Sequence, residues 1–242
     1  MHRGAGAGQT AYSVFPAGNY KFGAKQPKPE KDNLTESRLL RIKQKYDAEG
    51  VRRTVDAILL VAQHSHPHVL LLQYGQSHFF KLPGGKLKPD EDEVAGLRRK
   101  LELYLSPESE LLRSPWDIGE AVGCWSRPNF DTVFYPYNPP HITRPKEVKK
   151  LFMVQLPEAT YFGVPKNYNL VAVPLFELYD NYSRYGPVIA SIPSMLSRLR
   201  LNTVAAPAAP LAAGDAAASG GAQGDEYEGV TETHRRSSIA IA

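Results

Sequence analysis

The first long segment with a regular apolar pattern is residues 33–50, and its spacing is helical. Three apolar residues recur on one face of this segment: Leu39, Ile42 and Tyr46. Asn33 is suited to cap the start of a helix, and Gly50 is suited to end one. We therefore predict a single helix across this segment.

The period then changes to that of a sheet. Residues 54–62 are apolar on both faces of an extended chain: Val55, Ala57, Leu59 and Val61 on one face, Ile58 and Leu60 on the other. Such a strand is typical of the middle of a covered sheet, and Asp56 lies near its start. Residues 64–68 are predicted to turn the chain into a second strand at residues 69–74, followed by a third through residues 79–82.

A second helix is predicted after the sharp turn at Pro83-Gly84-Gly85. Asp90 and Glu93 have the spacing of a capping box, in which each side chain accepts a hydrogen bond from the other residue's backbone N–H. The apolar face of this helix holds four residues: Val94, Leu97, Leu101 and Leu105. This face is the one expected to pack on the sheet.

The rest of the folded chain is predicted as a long loop, two strands and a last helix. The loop covers residues 125–145, which are rich in proline and aromatic residues without a clean period. Strands are predicted at residues 150–156 and 170–173, and a helix within residues 193–201 with Pro193 in its first turn. Strands interspersed with helices of this length indicate an α/β fold with a mixed sheet covered on two faces.

Both ends of the chain have compositions that do not support a packed core. Residues 1–18 are rich in glycine and alanine and are predicted as a flexible N-terminal segment. Residues 203–242 are predicted as a disordered Ala/Gly-rich tail, which leaves one domain at residues 19–202. Near the C-terminus, Arg235-Arg236-Ser237-Ser238 has a basic-then-serine pattern. Ser238 is therefore a candidate phosphorylation site, with an inert tail as the alternative.

Composition and charge restrict the class of protein. No apolar run approaches membrane-spanning length, the start lacks the apolar core of a secretory signal, and the single cysteine, Cys124, cannot form an internal disulfide. A reducing compartment, cytosol or nucleus, is expected. Residues 203–242 hold two arginines and five acids, whereas residues 1–202 hold 27 basic and 20 acidic residues. This excess favours a polyanionic partner such as nucleic acid, and a merely soluble basic domain is the alternative.

Residues 85–106 resemble the box that defines the Nudix family of hydrolases. The family pattern is Gly, five residues, Glu, seven residues, Arg-Glu, an apolar residue, any residue, Glu-Glu, any residue and Gly. Gly85, Glu91 and Arg99 match it at the required spacing. The resemblance implies a Nudix-like α/β/α sandwich. Where the pattern has three glutamates and a final glycine, this chain has other residues: Lys100, Leu103, Tyr104 and Ser106.

These replacements predict that the box has lost its metal chemistry and that the protein uses no cofactor. Mg²⁺ prefers oxygen ligands in near-octahedral geometry, whereas Leu103 offers no ligand atom, Tyr104 stays protonated near neutral pH and Lys100 is positively charged. The histidines of residues 64–68 are interpreted as solvated turn residues rather than metal ligands. An alternative from the class of enzymes is a hydrolase that uses three displaced carboxylates: Glu91, Asp92 and Glu93.

Six blocks of the chain resemble the small Nudix-fold subunits of cleavage factor Im, the family of cleavage and polyadenylation specificity factor subunit 5. The likeness runs from about Asn19 to Leu201, and its blocks lie at residues 50–55, 67–73, 79–85, 127–130, 165–168 and 174–181. The resemblance implies a nuclear homodimer that binds UGUA in single-stranded pre-mRNA and guides poly(A) site selection without hydrolysing nucleotides. It also implies a larger cleavage factor Im subunit with an RNA-recognition motif, and other 3′-end processing factors, as partners. A scaffold that only bridges proteins is a further alternative.

The same resemblance implies which residues contact RNA. Phe79 and Phe80 match the base-stacking position, and neighbours on a strand point to opposite faces. Two buried rings are the alternative. A stacked ring contributes roughly 1 to 3 kcal/mol per base without selecting the base, so hydrogen bonds to base edges have to supply specificity. The remaining matching candidates are Glu30, Arg38, Asp56, His78, Leu82, Tyr185 and Gly186.

Two of these positions depart from the family. Asp56 replaces a glutamate, so its carboxylate reaches about one methylene less far, and His78 replaces a small hydroxyl residue. Both changes are expected to affect base preference or affinity rather than the fold.

Overall fold

The computed structural model of the protein describes residues 10–29, 35–131, 133–204 and 240–241, the last two by their backbone alone. Their strands are β1 (Ala11–Val14), β2 (Tyr20–Lys25), β3 (Arg52–Gln63), β4 (His66–Tyr74), β5 (Phe80–Lys81), β6 (Gly84–Lys86), β7 (Asp117–Arg127), β8 (Glu147–Gln155), β9 (Thr160–Pro165), β10 (Tyr168–Pro174), β11 (Arg200–Thr203) and β12 (Ala240–Ile241). The α-helices are α1 (Thr35–Glu49), α2 (Glu93–Leu105), α3 (Leu175–Leu178), α4 (Tyr182–Ala190) and α5 (Ile192–Leu196).

The main sheet is mixed, as predicted. Its strand order is β12, β10, β4, β3, β8 and β7, with β5 paired to β4 and β6 paired to β3. β3 runs parallel to β8, and β10 runs parallel to β12. The other pairings within this sheet are antiparallel. Two separate parallel pairs, β1 with β11 and β2 with β9, lie outside it.

β3 is buried on both faces, and the two faces belong to two cores. The α2-side core includes Val55, Ala57, Leu59 and Val61 of β3 and Leu97, Leu101 and Leu105 of α2. The α4-side core includes Ile58, Leu60 and Ala62 of β3 with Leu178, Ile189, Ile192 and Leu196 of α3 to α5. Helices therefore cover both faces of the sheet, which confirms the predicted α/β/α sandwich. No helix within the described ranges is long and apolar enough to span a membrane.

The start of α2 differs from its prediction. The N-cap is Asp92, whose carboxylate accepts a hydrogen bond from Ala95 N–H at 2.9 Å. Asp90 has a left-handed backbone with φ 55° and lies outside the helix. The predicted capping box of Asp90 and Glu93 is therefore wrong. The chain makes a further turn first, because Glu91 accepts a hydrogen bond from Lys88 N–H at 2.7 Å.

The turn after β3 and the third predicted strand are both shorter than expected. Within residues 64–68, only His64 and Ser65 have left-handed φ values, of 48° and 64°, as a two-residue hairpin turn requires. His66 already pairs with Gln63, so the rest of the predicted turn belongs to β4. β5 contains two residues, and Phe79 precedes it.

Three regions predicted as irregular, flexible or helical contain strands. Residues 125–127 end β7, whose small residues and register shifts between Ile118 and Gly123 hide its period, so the long loop starts at residue 128. Residues 10–18 were placed in the flexible segment, but β1 lies within them and Val14 is fully buried. Its partner β11 occupies residues where a helix was predicted, since α5 ends at Leu196.

The predicted tail is described only in part. Residues 205–239, with the candidate phosphorylation site Ser238, lie outside the described residues. Ala240 and Ile241 form β12 and pair with Val171 and Ala172 of β10.

A matched pair of leucines on α2 tests this packing. Leu101 is fully buried and Leu103 is 44% exposed. We expect Leu101→Ala to lower the free energy of unfolding by about 2 to 5 kcal/mol, because it leaves a cavity in the α2-side core. Leu103→Ala should change it by less than about 0.5 kcal/mol. Urea unfolding of both variants measures the difference, and equal effects would contradict the described orientation of α2.

Candidate functional site

One face of β3 changes from apolar to polar toward its N-terminal end. Because side chains alternate along a strand, Arg52, Thr54 and Asp56 point to the same side as Ile58 and Leu60. The α4-side core on this side also contains three candidate residues: Phe80, Leu82 and Tyr185. The structure therefore brings Asp56, Phe80, Leu82 and Tyr185 to one face of the sheet, although they are far apart in the sequence.

The two phenylalanines have different environments. Phe79 is 58% exposed, whereas Phe80 is 8% exposed and its ring centroid lies 5.1 Å from that of Tyr185. His78, immediately before them, is exposed. Of the two, only Phe79 therefore offers an exposed ring, and Phe80 belongs to the α4-side core.

Tyr185 is fixed by charged neighbours. Its hydroxyl donates a hydrogen bond to Glu177 Oε1 at 2.5 Å, and Arg184 Nη1 donates to the same oxygen at 2.8 Å. The Arg184 guanidinium carbon also lies 5.2 Å from the centre of the Tyr185 ring. Burial, and then the bond to Glu177, raise the pKa of the Tyr185 hydroxyl, so it remains a hydrogen-bond donor at neutral pH.

Gly186 lies at a kink inside α4. Its φ of 75° and ψ of 168° interrupt the helical conformation, and Pro187 follows. A side chain at this position would be strained by that φ. No atom lies within 4 Å of the position a Cβ would take, so the backbone here faces open space.

Asp56 is a buried carboxylate with one cation beside it. It lies well inside β3, 5% exposed, and Lys149 Nζ of β8 donates to its Oδ2 at 2.6 Å. Gly84 of β6 packs against it so closely that a Cβ there would lie 2.4 Å from Asp56 Oδ1 and 2.2 Å from Val55 O. The glycine is required by this close approach.

A second buried carboxylate, Glu147, organises the neighbouring polar groups. Its Oε1 accepts from Thr54 Oγ1 at 2.7 Å, and its Oε2 lies 2.7 Å from Arg127 Nη2. Arg52 Nε is 3.5 Å from Glu147 Oε1. Burial is the largest cause that lowers the pKa of Arg52, and three other arginines add to it: Arg127, Arg38 and Arg41. Arg38, an exposed residue of α1, thus lies near this end of the sheet, while Glu30 lies outside the described residues.

Lys149, Glu147 and Glu177 are the partners that sequence reasoning missed. The first two precede Leu151 and Met153 on the same face of β8, so a period of two was present in the sequence. The polar character of Glu147 and Lys149 masked this period. No sequence signal pairs Glu177 with Tyr185, because the contact depends on how α3 and α4 pack.

The matching half of the Nudix-like box is held by an ion pair. Arg99 Nε and Nη2 donate to the two carboxylate oxygens of Glu91 at 2.7 and 2.6 Å. Arg99, with the backbone N–H of Lys88, lowers the pKa of Glu91 to about 2. Glu91 is therefore ionised at neutral pH and tethers the loop to α2.

The other two acids of this turn also have partners. Asp92 caps α2, and Glu93 lies 2.9 Å from Lys150 Nζ and 3.4 Å from Arg53 Nη2. Among the residues that the structure describes, no group of three or more His, Cys, Asp or Glu side chains could hold a metal ion. The histidines after β3 do not gather either, since His68 Nδ1 lies 2.9 Å from His66 O and the His66 ring packs edge-on against Phe176.

The three positions of the missing glutamates have separate environments. Leu103 is exposed, and Lys100 lies beside Gly85, with its Nζ 3.7 Å from the position of a Cβ there. Tyr104 is 8% exposed and packs under two ammonium groups, Lys28 Nζ at 3.7 Å and Lys81 Nζ at 4.5 Å from its ring centre. Burial and then Tyr168 raise the pKa of Tyr104, so it does not provide an anion.

Comparisons with known proteins identify the family of the chain. Residues 10–199 match the second Nudix family, described as "Nucleotide hydrolase". An Arabidopsis thaliana protein named Pre-mRNA cleavage factor Im 25 kDa subunit 2 is 56% identical over 192 residues, which cover 79% of this chain and 96% of that protein. A Dictyostelium discoideum protein named Cleavage and polyadenylation specificity factor subunit 5 is 51% identical over 181 residues, or 74% of this chain and 89% of that protein.

A second Arabidopsis thaliana relative, named Pre-mRNA cleavage factor Im 25 kDa subunit 1, is 47% identical over 189 residues, covering 78% of this chain and 85% of that protein. These relatives and the family match cover the described domain almost from end to end. The chain therefore belongs to the Nudix family and, within it, to the group of cleavage factor Im 25 kDa subunits and cleavage and polyadenylation specificity factor subunit 5.

Proposed function

We propose that the protein is a non-catalytic, sequence-specific RNA-binding subunit of the machinery that cleaves and polyadenylates pre-mRNA. It reads a UGUA-type motif and so guides poly(A) site selection. The observation that carries the proposal is the exposed ring of Phe79 beside the packed pair of Phe80 and Tyr185. It occurs in a chain whose relatives are named as subunits of pre-mRNA cleavage and polyadenylation factors.

Phe79 supplies the stacking surface in this proposal. An exposed large ring on a folded protein is costly to leave in water, and every base has an aromatic face that can cover it. Phe80 is packed against Tyr185, which is itself bound to Glu177. The backbone that carries Phe79 is therefore anchored by its buried neighbour Phe80, which reduces the conformational entropy lost on binding.

Specificity comes from the groups around the ring. Arg38 is exposed and can donate two hydrogen bonds to a guanine edge, and the backbone at Gly186 faces open space. His78 is exposed beside the ring. The buried candidates, Asp56, Leu82 and Tyr185, form the floor under the bases, and Glu30 stays a candidate through the resemblance alone.

The absence of catalysis is supported by the chemistry of the box. A Nudix site needs carboxylates that are free to hold Mg²⁺ near a diphosphate. Here the acids of residues 91–93 are committed to Arg99, to the start of α2 and to Lys150. Lys100, Leu103 and a protonated tyrosine, Tyr104, lie where the family has glutamates.

The partners follow from the relatives' names and from the resemblance. Factors for pre-mRNA act in the nucleus, so we assign the protein to that compartment. We further propose a homodimer that binds a larger cleavage factor Im subunit with an RNA-recognition motif, together with other 3′-end processing factors.

RNA specificity is tested by comparing a UGUA oligonucleotide with a scrambled one in fluorescence anisotropy. We expect tighter binding of UGUA, and Phe79→Ala should weaken it roughly tenfold or more through loss of stacking. Phe176→Ala is the matched control, since Phe176 is 69% exposed on α3 and its ring packs against His66, beyond the end of β3 that is opposite to Arg52. Equal affinity for both RNAs, or unchanged binding by Phe79→Ala, would favour the protein-bridging scaffold.

The enzyme alternative is tested with Mg²⁺ or Mn²⁺ and a panel of nucleoside diphosphate derivatives. We expect no turnover above a blank, because the carboxylates near the box are engaged in ion pairs and a cap. Turnover that Glu91→Gln abolishes would establish the displaced-carboxylate hydrolase instead.

A structural role for Glu91 predicts a pH-dependent stability. Its pKa in the folded protein, about 2, lies below the ordinary value of 4.5. The ion pair therefore stabilises the fold above about pH 4.5, and this contribution disappears as the pH falls toward 2. Glu91→Gln should lower the free energy of unfolding by about 1 kcal/mol at pH 7 and by less at pH 3.

Urea unfolding at several pH values measures that effect. The control is Glu110→Gln, because Glu110 is 86% exposed and 3.5 Å from Arg113. A Glu91→Gln variant as stable as wild type at neutral pH would leave the matching half of the box without a structural role here.

A further inference from the structure

A basic and aromatic surface lies between α1 and the loop that joins β7 to β8. Two rings form its base, Tyr46 of α1 and Phe130 of the loop, which meet edge to face with centroids 5.7 Å apart. Three cations surround them: Lys43, Arg144 and Lys146. We call these five residues the α1 cleft.

The rings hold the cations of the α1 cleft in place. Lys146 Nζ lies 4.1 Å from the centre of the Tyr46 ring and 5.4 Å from that of Phe130. Lys43 Nζ lies 5.8 Å from the Phe130 centre, and the Arg144 guanidinium carbon lies 5.8 Å from the Tyr46 centre. The Tyr46 hydroxyl donates to Arg144 O at 3.3 Å, which fixes the loop to the helix. The positive charges are thus positioned before any ligand arrives.

These cations differ from their neighbours in that no carboxylate of the described residues lies within ion-pair distance of them. Glu49 binds Lys86 and approaches Lys45, and Glu147 binds Arg127. Within the described parts of the chain, none of the three cations of the α1 cleft forms an ion pair with an acid. An anionic ligand would supply the negative charge that these three cations lack as a partner.

The α1 cleft is continuous with the candidate site. Arg52 lines the same small pocket as Tyr46 and Lys146, and it also contacts Glu147. Arg38 lies one helical turn before Ile42, which lines that pocket too. A chain leaving the candidate site past Arg38 therefore meets the α1 cleft next.

We propose that the α1 cleft binds the phosphates of single-stranded RNA that flanks the bases recognised at the candidate site. The proposal rests on the proposed function and adds a second, sequence-independent contact to it. Phosphates are the better match than bases because the ring faces are occupied by cations, whose outward N–H groups remain available to phosphate oxygens. The RNA is thereby held on one side of the motif.

The test compares three RNAs: UGUA alone, UGUA with six uridines on its 5′ side, and UGUA with six uridines on its 3′ side. Dissociation constants are measured over a series of salt concentrations. We expect one of the two extended RNAs to bind about tenfold more tightly than UGUA alone. For that RNA, the slope of log affinity against log salt concentration should be steeper by about 2. Each of the three cations is expected to neutralise one phosphate, and each such phosphate on a single strand contributes about 0.7.

The variant Lys43→Gln/Arg144→Gln/Lys146→Gln should bind that extended RNA no more tightly than UGUA alone. Its affinity for UGUA itself should match wild type, which also shows that the variant is folded. The control of equal charge change is Lys21→Gln/Arg98→Gln/Lys166→Gln, three exposed residues of other elements and loops. It should retain the full gain from the extension.

Two outcomes would overturn the proposal while leaving the proposed function intact. One is specific UGUA binding with no gain from either extension, and the other is a gain that the α1 cleft variant keeps. If a peptide of ten glutamates binds wild type and the variant loses it while RNA extension adds nothing, the cleft belongs to an acidic protein partner. Equal binding of UGUA and its scrambled form would contradict the proposed function instead.

Discussion

Burial of β3 on both faces is the constraint on which the rest of the structure depends. The strand can be apolar on both sides only while helices cover the sheet, and toward Arg52 the α4-side cover ends. Thr54 and Asp56 lie at that end and are still buried, so they have to be paired to avoid a large desolvation cost. Glu147 and Lys149 of the adjacent parallel strand provide the partners. The polar end of the sheet is therefore a rigid network rather than a loose surface.

The matching half of the Nudix-like box has structural roles that do not depend on a metal. Glu91 and Arg99 close the loop onto α2, and Asp92 caps the start of the helix. These three residues therefore have structural roles that do not involve a metal. The three positions where this chain lacks the family's glutamates, residues 100, 103 and 104, have no such role. Tyr104 could enter the core because its ring packs beside Tyr168 and accepts lysine ammonium groups on its face. The residues of the box that match the family pattern are thus those that the fold itself uses.

The elements with the strongest periodicity were predictable, and the contacts between elements were not. The two faces of β3 and the buried leucines of α2 follow directly from spacing, because each face meets a single core. β7 was missed, since Gly119, Gly123 and two register shifts remove its alternation. The capping residue was misplaced because Glu91 binds Lys88 N–H and adds a turn.

The candidate site was predictable as a set of residues but not as a geometry. The resemblance named Phe79 and Phe80 together, whereas the packing of the structure decides that Phe80 is buried against Tyr185 and Phe79 is the exposed ring. The kink at Gly186 likewise depends on the φ of one residue inside a short helix. Such distinctions depend on long-range packing, which leaves no periodic trace in the sequence.

One physical pattern connects the region around Tyr104 with the α1 cleft: lysine ammonium groups lie over aromatic rings. Lys81 and Lys28 lie over Tyr104, and Lys146 lies over Tyr46. A carboxylate beside Lys146 would cancel its charge, whereas a ring positions an ammonium group and leaves its charge available. In the proposed complex, phosphate charge is met by these positioned side chains. The proposed contact therefore holds RNA through side-chain cations, whereas a Nudix hydrolase binds its diphosphate through Mg²⁺ and uses the metal to activate water.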